Sequence, residues 1–287
     1  MELHFVGSSS KGNLPDALVI GPMRSATTWV HRYLKTREDV CLPTDVKETF
    51  FFDRRFEKGI KWYKKHFKEC ENNKLKITIE VGPSYFHSEE APGKIRDILG
   101  QVPLVVIYRN PIERSFSHYA HLRRFGFTSL PLREAVEEFP EILTASRYAE
   151  QLKRWIRHFG RSSLEILRLE TLKESPAQFA INLTRALCLP KKSIPEDLKT
   201  PVNQSTIPKS NVLAGITWRV ADALRGWRLH KIVEWAKKIG VKDAVMESAS
   251  GERPGMSESE RAWLRKQLKD DTELFPEMIP RIEEEVK

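Results

Sequence analysis

Four short apolar runs, each followed by a helix-like pattern, constrain the fold of this 287-residue chain more than any other feature. The runs lie at 17–20, 76–81, 103–108 and 164–169. Strands that are covered on both faces read as nearly continuous apolar runs of this kind. Because strands and helices alternate along the chain, we expect an α/β fold with a parallel sheet and helices on both of its faces.

The segment 21–28, Gly-Pro-Met-Arg-Ser-Ala-Thr-Thr, connects the first run to a predicted helix over 28–36. Main-chain N–H groups at such a strand-to-helix turn form an anion site, so the fold is expected to be P-loop-like. In the kinase-type loop GxxxxGK[ST], a lysine contacts the β- and γ-phosphates. Here Ala26 and Thr27 stand at the glycine and lysine positions, and a cation comes earlier, at Arg24. The loop therefore disfavours ATP hydrolysis, and a structural turn rich in Ser and Thr is the alternative.

A second motif, Tyr-Arg-Asn-Pro-Ile-Glu-Arg-Ser-Phe-Ser-His-Tyr over 108–119, again joins a strand end to a helix. Arg109 ends the strand, and Ser117 lies eight residues further on. The planar fork of arginine makes charge-assisted, often bidentate bonds to phosphate, so Arg109 is a candidate phosphate ligand. A surface arginine is the alternative. Arg114 is expected to be structural or exposed at a rim, with a phosphate role left open.

Charge narrows the class of partner. Forty-eight basic and thirty-nine acidic residues give a net charge of +9, which favours nucleotides, sulfated sugars, acidic carriers or nucleic acid. The basic residues are scattered among acidic ones without a zinc-finger, helix-turn-helix or RNP signature, so no nucleic-acid partner is expected. No apolar run approaches the roughly 20 residues of a membrane helix, and the first residues lack a secretory pattern. We therefore expect a cytoplasmic protein without a membrane partner.

The three cysteines, Cys41, Cys70 and Cys188, are an odd number without CxxC spacing. This pattern indicates neither a disulfide framework nor a zinc site, so reduced structural thiols and no metal are expected. A hydrophobic fraction of 40% is enough for a core without such links.

The last third of the chain is expected to be a loop followed by helices. Residues 190–210 are rich in Pro, Lys, Ser and Asn, which predicts a loop that covers a site. Segments 211–240 and 257–278 carry spaced Trp, Leu and Val among charges, as amphipathic helices do. Four tryptophans are interpreted as packing these helices onto the sheet: Trp218, Trp227, Trp235 and Trp263.

Both anion motifs resemble those of the sulfotransferases that use 3′-phosphoadenosine 5′-phosphosulfate (PAPS). Residues 23–29, Met-Arg-Ser-Ala-Thr-Thr-Trp, are similar to the family's PKSGTTW loop, and 108–119 resembles its 3′-phosphate motif. The resemblance implies that Arg109 and Ser117 bind the 3′-phosphate and that Trp29 stacks on adenine. It implies that the 5′-phosphosulfate is bound by main-chain groups and side chains of Arg24, Ser25, Ala26, Thr27 and Thr28.

Three further segments resemble the heparan-sulfate-type and related bacterial branch of this family. They are KETFFFD at 47–53, KGIKWY at 58–63 and EVGPSYF at 80–86, similar to KExxFFD, KGxxWY and TPSYF in that branch. The resemblance implies that Glu48 is the general base and that Lys47 neutralises charge on the transferring group. It covers roughly residues 16–125, becomes looser through residue 172, and is not traced past residue 190.

Other assignments for these groups stay open. Glu48 is alternatively a capping or salt-bridged surface acid, with Lys47 as its partner. Histidine is the base in the cytosolic small-molecule branch, so His87, His118 and His121 are rival bases. His118 and His121 lie three residues apart on one predicted helix, where solvated or capping roles are usual. The tentative acceptor contacts are Phe50, Tyr85 and His87.

Departures from the family pattern bear on the acceptor. Val81 and Gly82 stand where heparan 3-O-sulfotransferases have Lys-Thr, and Phe50 stands where they have histidine. The cysteine-bridged C-terminal loop of those enzymes has no counterpart. These differences replace cationic and polar contacts by apolar ones, which puts a long, highly sulfated glycan in doubt. A small molecule, a saccharide or a carrier-bound acyl chain with a hydroxyl group is expected instead.

The resemblance implies one nucleotide-binding sulfotransferase domain over 1–287, acting by direct in-line transfer without a metal. Arg24, Lys47 and the loop N–H groups are expected to stabilise the leaving phosphate. The rivals are a metal-dependent nucleotide kinase and a basic glycan- or nucleic-acid-binding protein without catalysis. The expected divisions are a leader at 1–15, an α/β cofactor-binding core at 16–189, and loop and helical acceptor-side elements at 190–287.

Overall fold

A computed structural model describes most of the chain, and contacts divide it into two compact units. The first unit comprises 1–109 and 150–201, and the second comprises 110–149 and 202–287. The expectation of a single domain stays a prediction. The residues that the structure describes are 13–70, 76–199, 206–208, 246–248 and 255–278.

The first unit is built on a five-stranded parallel sheet with the strand order β2-β3-β1-β4-β5. All four predicted strands are present, and β2 is a short additional edge strand. The parallel sheet flanked by helices confirms the predicted α/β, P-loop-like class. The strands are β1 Ala17–Gly21, β2 Val40–Cys41, β3 Ile77–Val81, β4 Leu104–Tyr108 and β5 Leu164–Arg168.

Helices connect the strands, and short 3₁₀ helices lie at 56–58, 65–70, 85–87 and 161–163. The helix predicted over 28–36 is confirmed with a shift of one residue. In chain order the helices of the described residues are α1 Thr27–Lys35, α2 Phe51–Arg54, α3 Ile60–Lys64, α4 Ala91–Leu99, α5 Pro111–Arg124, α6 Leu132–Glu138, α7 Glu141–Thr144, α8 Tyr148–Phe159, α9 Leu169–Glu174, α10 Pro176–Ala186, α11 Glu196–Lys199 and α12 Glu258–Met278.

The core of the first unit lies between the sheet and helices α1 and α10. Val30 and Leu34 of α1 are fully buried against Val19 of the central strand, as the helical spacing of apolar residues predicts. Phe179 and Leu183 bring the apolar face of α10 to the same cluster. Because all strands are parallel, their carboxyl ends meet at one edge, and the loops that follow β1 and β3 lie together there.

Gly21 shows how closely those two loops approach. Its φ of 113° lies in a region that L side chains rarely adopt. A Cβ atom added there would lie 2.3 Å from the carbonyl oxygen of Pro83, in the loop after β3. Only glycine therefore allows the end of β1 and this loop to pack in this way.

The second unit has a helical core formed by α5, α6, α7 and α12. Tyr119 of α5 and Leu264 of α12 are buried in it, and Trp263 packs against it. The predicted helix over 257–278 is thus confirmed, but its Trp263 packs against helices and not onto the sheet. A sequence pattern indicates which face of a helix is apolar, but it does not indicate which element packs against that face. Trp218, Trp227 and Trp235, with the predicted helix at 211–240, lie outside the described residues.

The predicted loop at 190–210 contains regular structure. Its described residues include helix α11 and the strand β6 Thr206–Pro208, which pairs antiparallel with β7 Met246–Ser248. The loop prediction was therefore wrong for these residues. The partner strand of β6 lies about 40 residues away in sequence, and composition alone does not reveal such a pairing.

A disulfide joins Cys41 to Cys70, which corrects the expectation of reduced thiols. The strand β2 packs beside the 3₁₀ helix at 65–70, and this places the two Cα atoms 5.7 Å apart, within bridging distance. Cys188 is the free, exposed thiol that makes the count odd. Because the two half-cystines are 29 residues apart, no local motif marked them.

Within the described ranges, no helix is long and apolar enough to cross a membrane. The cytoplasmic location stays a prediction. The Cys41–Cys70 disulfide weighs against it, because disulfides persist in oxidising compartments and are rare in a reducing cytosol.

Candidate active site

The loop between β1 and α1 has the backbone of an anion-binding turn. Arg24 and Ala26 have φ angles of 71° and 56°, in the left-handed region that non-glycine residues seldom occupy. Alternating conformations of this type turn successive N–H groups toward one side and form a concavity for anions. The Ala26 carbonyl accepts hydrogen bonds from the N–H groups of Trp29 and Val30 and so starts α1.

The hydroxyl groups of this loop have different surroundings. Ser25 is fully buried, and its Oγ has no hydrogen-bond partner among the described residues. Thr27 is buried as well, whereas Thr28 is exposed. A buried hydroxyl without a partner is costly, and an oxygen of a bound phosphate or sulfate would satisfy it. The loop therefore fits an anionic oxygen group.

Arg109 follows β4 and reaches the same loop. Its Nη1 donates a hydrogen bond to the carbonyl oxygen of Arg24 across 2.8 Å. The fold thus brings together the two anion motifs that the sequence separates by 85 residues. A guanidinium held by a main-chain carbonyl beside an anion loop has the charge and the geometry to bind a phosphate.

Ser117 and Arg114 lie on α5 in the second unit. The helix begins at Pro111, and the Asn110 side chain accepts hydrogen bonds from the N–H groups of Ile112 and Glu113. Ser117 is partly exposed. Arg114 is fully buried and donates to Ser146 Oγ and to the carbonyl oxygens of residues 141 and 142. These contacts support the expected structural role of Arg114 and exclude a rim position.

Lys47 connects the KE pair to the phosphate loop. Its Nζ lies 2.7 Å from Glu48 Oε1 and 3.1 Å from Thr28 Oγ1. The side chains of Lys47 and Glu48 are 34% and 18% exposed, so both groups are accessible to a small reactant. One ammonium therefore contacts the candidate base and the candidate donor loop at the same time.

Phe50 follows the KE pair in an unusual conformation, with φ of 54°. The guanidinium carbons of Arg54 and Arg55 lie 4.9 Å and 5.5 Å from the centre of its ring. Cation–π contacts of this kind are favourable at such distances. This part of the surface is therefore not purely apolar.

A buried carboxylate lies directly behind the KE pair. Glu80 of β3 is fully buried and accepts hydrogen bonds from Thr49 Oγ1 at 2.5 Å, Tyr63 OH at 2.6 Å and Tyr85 OH at 2.9 Å. Burial raises the pKa of Glu80, and these three hydrogen bonds oppose the rise. No sequence motif identified Glu80 as part of the site. Glu80 could have been recognised because it lies within a strand that was predicted to be buried, and a buried carboxylate requires hydrogen-bond partners.

Two further titratable groups near the site have shifted pKa values. Burial, followed by the charges of Lys47 and Lys35, lowers the pKa of His31 to about 4. Burial raises the pKa of Asp53, while a hydrogen bond with Ser84 and the charge of Arg54 act in the opposite direction. His31 is therefore neutral at pH 7.

A comparison with known protein families decides the class. The model of the sulfotransferase domain family matches residues 14–209. This chain belongs to the sulfotransferase family. The match confirms the resemblance that the two anion motifs indicated, and the family is one of enzymes.

Relatives of known class agree. The chain is 31% identical over 182 residues to the mouse heparan sulfate glucosamine 3-O-sulfotransferase 3B1, covering 60% of this chain and 45% of the relative. It is 29% identical over 185 residues to the mouse bifunctional heparan sulfate N-deacetylase/N-sulfotransferase 4, covering 58% of this chain and 21% of that protein. The chain thus spans less than half the length of these relatives.

A solved structure shares the fold. The sulfotransferase from Alicyclobacillus acidocaldarius superposes with a TM-score of 0.56 at 19% sequence identity, covering 74% of this chain and 94% of that chain. At this level of identity the likeness concerns the fold alone.

Two residues that the sulfotransferase resemblance assigned to ligands are in the interior. Trp29 is 8% exposed, stacks on Tyr33 at 5.5 Å, and donates from Nε1 to the carbonyl oxygen of Leu198. Its helical position turns most of the ring toward the core, and the stacking on adenine stays a prediction. Tyr85 is fully buried in the Glu80 network, which corrects its assignment as an acceptor contact.

The two residues that stand where heparan 3-O-sulfotransferases have Lys-Thr, Val81 and Gly82, are buried. Val81 is fully buried in the core. A Cβ atom on Gly82 would lie 2.2 Å from the Tyr85 ring, so the glycine makes room for that ring. Both residues therefore serve packing, and the apolar character of the acceptor site stays a prediction.

The histidines differ in their surroundings. His118 is buried, with Nδ1 3.5 Å from Arg114 Nη1, so the expected solvated role was wrong. His121 is partly exposed, and its ring contacts that of Phe125 at 4.6 Å. His87 ends the 3₁₀ helix at 85–87 and is partly exposed, which leaves it accessible.

Proposed function

We propose that this chain transfers a sulfuryl group from PAPS to the hydroxyl group of an acceptor, by direct in-line transfer. The observation that carries the proposal is the position of Lys47 Nζ, in contact with Thr28 of the phosphate loop and with Glu48. In-line transfer requires a donor site, a positive charge and a proton acceptor side by side. Lys47 and its two contacts supply that combination within one unit.

The donor would be held by the loop after β1. When bound, PAPS supplies the sulfuryl group and carries a phosphate as its leaving group. The main-chain N–H groups of residues 24–28 and the buried hydroxyl of Ser25 would hold the anionic 5′ end. Thr27 and Thr28 provide further hydroxyls. The roles of Arg109 and Ser117 on the 3′-phosphate rest on the sequence motif.

Glu48 is proposed as the general base. A hydroxyl group is a poor nucleophile until its proton is accepted, and a carboxylate within hydrogen-bond reach can take it as the new S–O bond forms. Lys47 and Arg24 would stabilise negative charge that develops on the leaving side. Lys47 Nζ, 2.7 Å from Glu48 Oε1, would also favour the ionised form of the base.

The acceptor is proposed to be a hydroxyl-bearing small molecule, saccharide or carrier-bound acyl chain. The names of the relatives favour a saccharide. The guanidinium group of Arg54, whose side chain is 46% exposed beside Phe50, favours an acceptor with some negative charge. A metal-dependent nucleotide kinase is the second candidate, and Thr27 at the position of the kinase lysine disfavours it.

The test separates donor binding from turnover. Glu48→Gln keeps the size and the hydrogen-bonding capacity of the side chain but removes its proton affinity. Turnover should fall by roughly 10²–10⁴-fold, the range typical of general-base loss. Affinity for 3′,5′-bisphosphoadenosine, the product nucleotide, should stay within a factor of about two, since the base does not bind it.

Four acceptors are offered with excess PAPS: a heparan-type oligosaccharide, a simple glycoside, 4-nitrophenol and a β-hydroxyacyl thioester. Glu57→Gln, on the exposed side of the adjacent 3₁₀ helix, is the matched control and should retain full turnover. Near-normal turnover in Glu48→Gln with collapse in His87→Ala would move the base to that histidine. Absence of both nucleotide binding and turnover in the unmodified protein would overturn the proposed function.

A further inference from the structure

Glu80 is a buried acid for which the reaction has no direct use. It lies in β3 between Ile79 and Val81, and all three residues are fully buried. A carboxylate in a sheet interior is unfavourable unless its oxygens accept hydrogen bonds. Its three donors are hydroxyl groups from the segments that follow β2 and β3.

The hydrogen-bond pattern favours the ionised form of Glu80. Each hydroxyl has one proton, and all three point to a carboxylate oxygen: Thr49 and Tyr85 to Oε1, and Tyr63 to Oε2. A glutamine at residue 80 would offer only one accepting oxygen, and the two protons of its NH₂ group would themselves need acceptors. The three donors therefore match the two accepting oxygens of a carboxylate at residue 80.

Thr49 is the point at which this network reaches the site, since it is covalently next to Glu48. Its Oγ1 donates to Glu80 and accepts a hydrogen bond from the N–H group of Phe51 at 3.1 Å. Its carbonyl oxygen accepts from Arg55 Nη1 at 3.3 Å. The side chain and the main chain of Thr49 are thus fixed on both sides.

The backbone conformation of Phe50, the residue after Thr49, is strained. Phe50 adopts φ of 54°, and a non-glycine residue in the left-handed region persists when its surroundings over-determine it. The N–H group of Phe51 also lies 3.2 Å from Tyr85 OH, so the network holds both neighbours of Phe50. The main chain on both sides of Phe50 is therefore held by Glu80 Oε1, Thr49 Oγ1 and Tyr85 OH.

We propose that Glu80 is a positioning residue that, through Thr49, fixes the direction in which the Glu48 carboxylate points. The proposal rests on the function proposed above, in which Glu48 is the general base. Glu80 touches neither donor nor acceptor, and its effect is transmitted through Thr49 Oγ1. A base displaced by about 1 Å can lose as much as 10²-fold in rate, so a fixed main chain at this place has a direct effect on turnover.

Thr49→Val removes the hydroxyl at nearly constant volume and is the main variant. Its kcat should fall by about tenfold or more, with affinity for 3′,5′-bisphosphoadenosine unchanged. Thr49→Ser restores the hydroxyl and should restore kcat. Tyr63→Phe is the matched control, because it removes a hydrogen bond to the other oxygen of Glu80 without touching Thr49. It should lower the melting temperature comparably and keep kcat within about twofold.

A double mutant separates positioning from general destabilisation. If Thr49 acts only through the base, Glu48→Gln with Thr49→Val should turn over as slowly as Glu48→Gln alone. A further fall in the double mutant, or parallel losses of kcat in Thr49→Val and Tyr63→Phe, would overturn the positioning role. If Thr49→Val does not fold, Tyr85→Phe removes the hydroxyl that contacts Thr49 Oγ1 and the Phe51 N–H, and the same criterion applies.

The controls also separate the two proposals. Normal turnover in Glu48→Gln would overturn the general base, whatever the result at Thr49. Loss of turnover in Glu48→Gln together with normal turnover in Thr49→Val would overturn the positioning role alone. All variants are assayed with PAPS and with the acceptor of the four that gives the fastest turnover.

Discussion

Arg109 Nη1 donates a hydrogen bond to the carbonyl oxygen of Arg24 across 2.8 Å, so the residue after β4 holds the loop after β1. Arg24 is one of the two left-handed residues in that loop. The hydrogen bond fixes its peptide group and with it the direction of the following N–H groups. The motif at 108–119 and the loop after β1 are therefore coupled through one guanidinium.

We predict that Arg109→Ala weakens the binding of 3′,5′-bisphosphoadenosine by tenfold or more, because a charge-assisted hydrogen bond contributes about 1.5–3 kcal/mol. Isothermal titration calorimetry measures the affinity. Arg109→Lys keeps the charge but loses the planar fork, so its affinity should be intermediate. Ser117→Ala should weaken binding less, since a neutral hydroxyl contributes about 0.5–1.5 kcal/mol.

The control for this prediction is adenosine 5′-phosphosulfate, which lacks the 3′-phosphate. If Arg109 binds that phosphate, Arg109→Ala should affect this shorter donor much less. Equal losses for both nucleotides would mean that Arg109 acts through the loop, by its bond to Arg24, and the 3′-phosphate role would be wrong.

Nucleotide choice tests the class of donor. We predict that 3′,5′-bisphosphoadenosine raises the melting temperature in the presence of EDTA, because a ligand that binds only the folded state stabilises it by mass action. At 100 times its Kd the gain is about 2.7 kcal/mol. ATP with Mg²⁺ should give a smaller rise. A rise with Mg-ATP and none with the bisphosphate would favour the kinase.

Much of the fold could be read from the sequence, since apolar runs identify buried strands directly. Strand β2 was missed because two residues carry no periodicity, and its pairing with β3 depends on tertiary packing. The Cys41–Cys70 disulfide was missed for the same reason. Local pattern indicates which residues are apolar, but it does not indicate which distant segment they meet.

The sequence predicted which residue types form the candidate site, but it predicted less well where their side chains point. The loop at 23–29 and Arg109 stand in contact, and their assignment to the phosphates of the donor stays a prediction. The family pattern assigns Trp29 to adenine, and its burial in the core was not evident from that pattern. Tyr85 donates a hydrogen bond to Glu80. Thr49 donates to the same carboxylate although it lies 31 residues away in sequence. No local pattern predicts that three hydroxyl groups meet at one buried acid.

The disulfide should contribute to stability. Closing a loop of about 29 residues by a disulfide is worth roughly 2–4 kcal/mol in the unfolding free energy. We predict that Cys41→Ser with Cys70→Ser lowers the urea midpoint, as does reduction of the unmodified protein. Cys188→Ser is the control and should change little, because that thiol is exposed and free.

Thiol titration checks the same prediction independently. The unreduced, denatured protein should expose one thiol per chain, and the reduced protein three. Three reactive thiols in the unreduced protein, with no effect of reductant on the urea midpoint, would contradict the disulfide and remove the objection to a cytoplasmic location.

His31 should make stability depend on pH. Its pKa falls from an ordinary 6.5 to about 4 in the folded protein, so the unfolded chain binds its proton first as the pH falls. The contribution of His31 is complete above pH 6.5 and is lost as the pH falls from 6.5 toward 4. Glu80 and Asp53 have raised pKa values and act in the opposite sense, so the total curve combines these effects.

A difference between variants isolates the histidine. We predict that His31→Gln is less sensitive than the unmodified protein to a fall from pH 7 to pH 5, measured as the free energy of unfolding in urea. The difference should be about 1 kcal/mol, since partial exposure of the ring reduces the full effect of the shift. His158→Gln, an exposed histidine on α8, is the control. Parallel curves for His31→Gln and the unmodified protein would mean that Lys47 and burial do not depress the pKa of this ring, and that His31 is charged beside the phosphate loop at low pH.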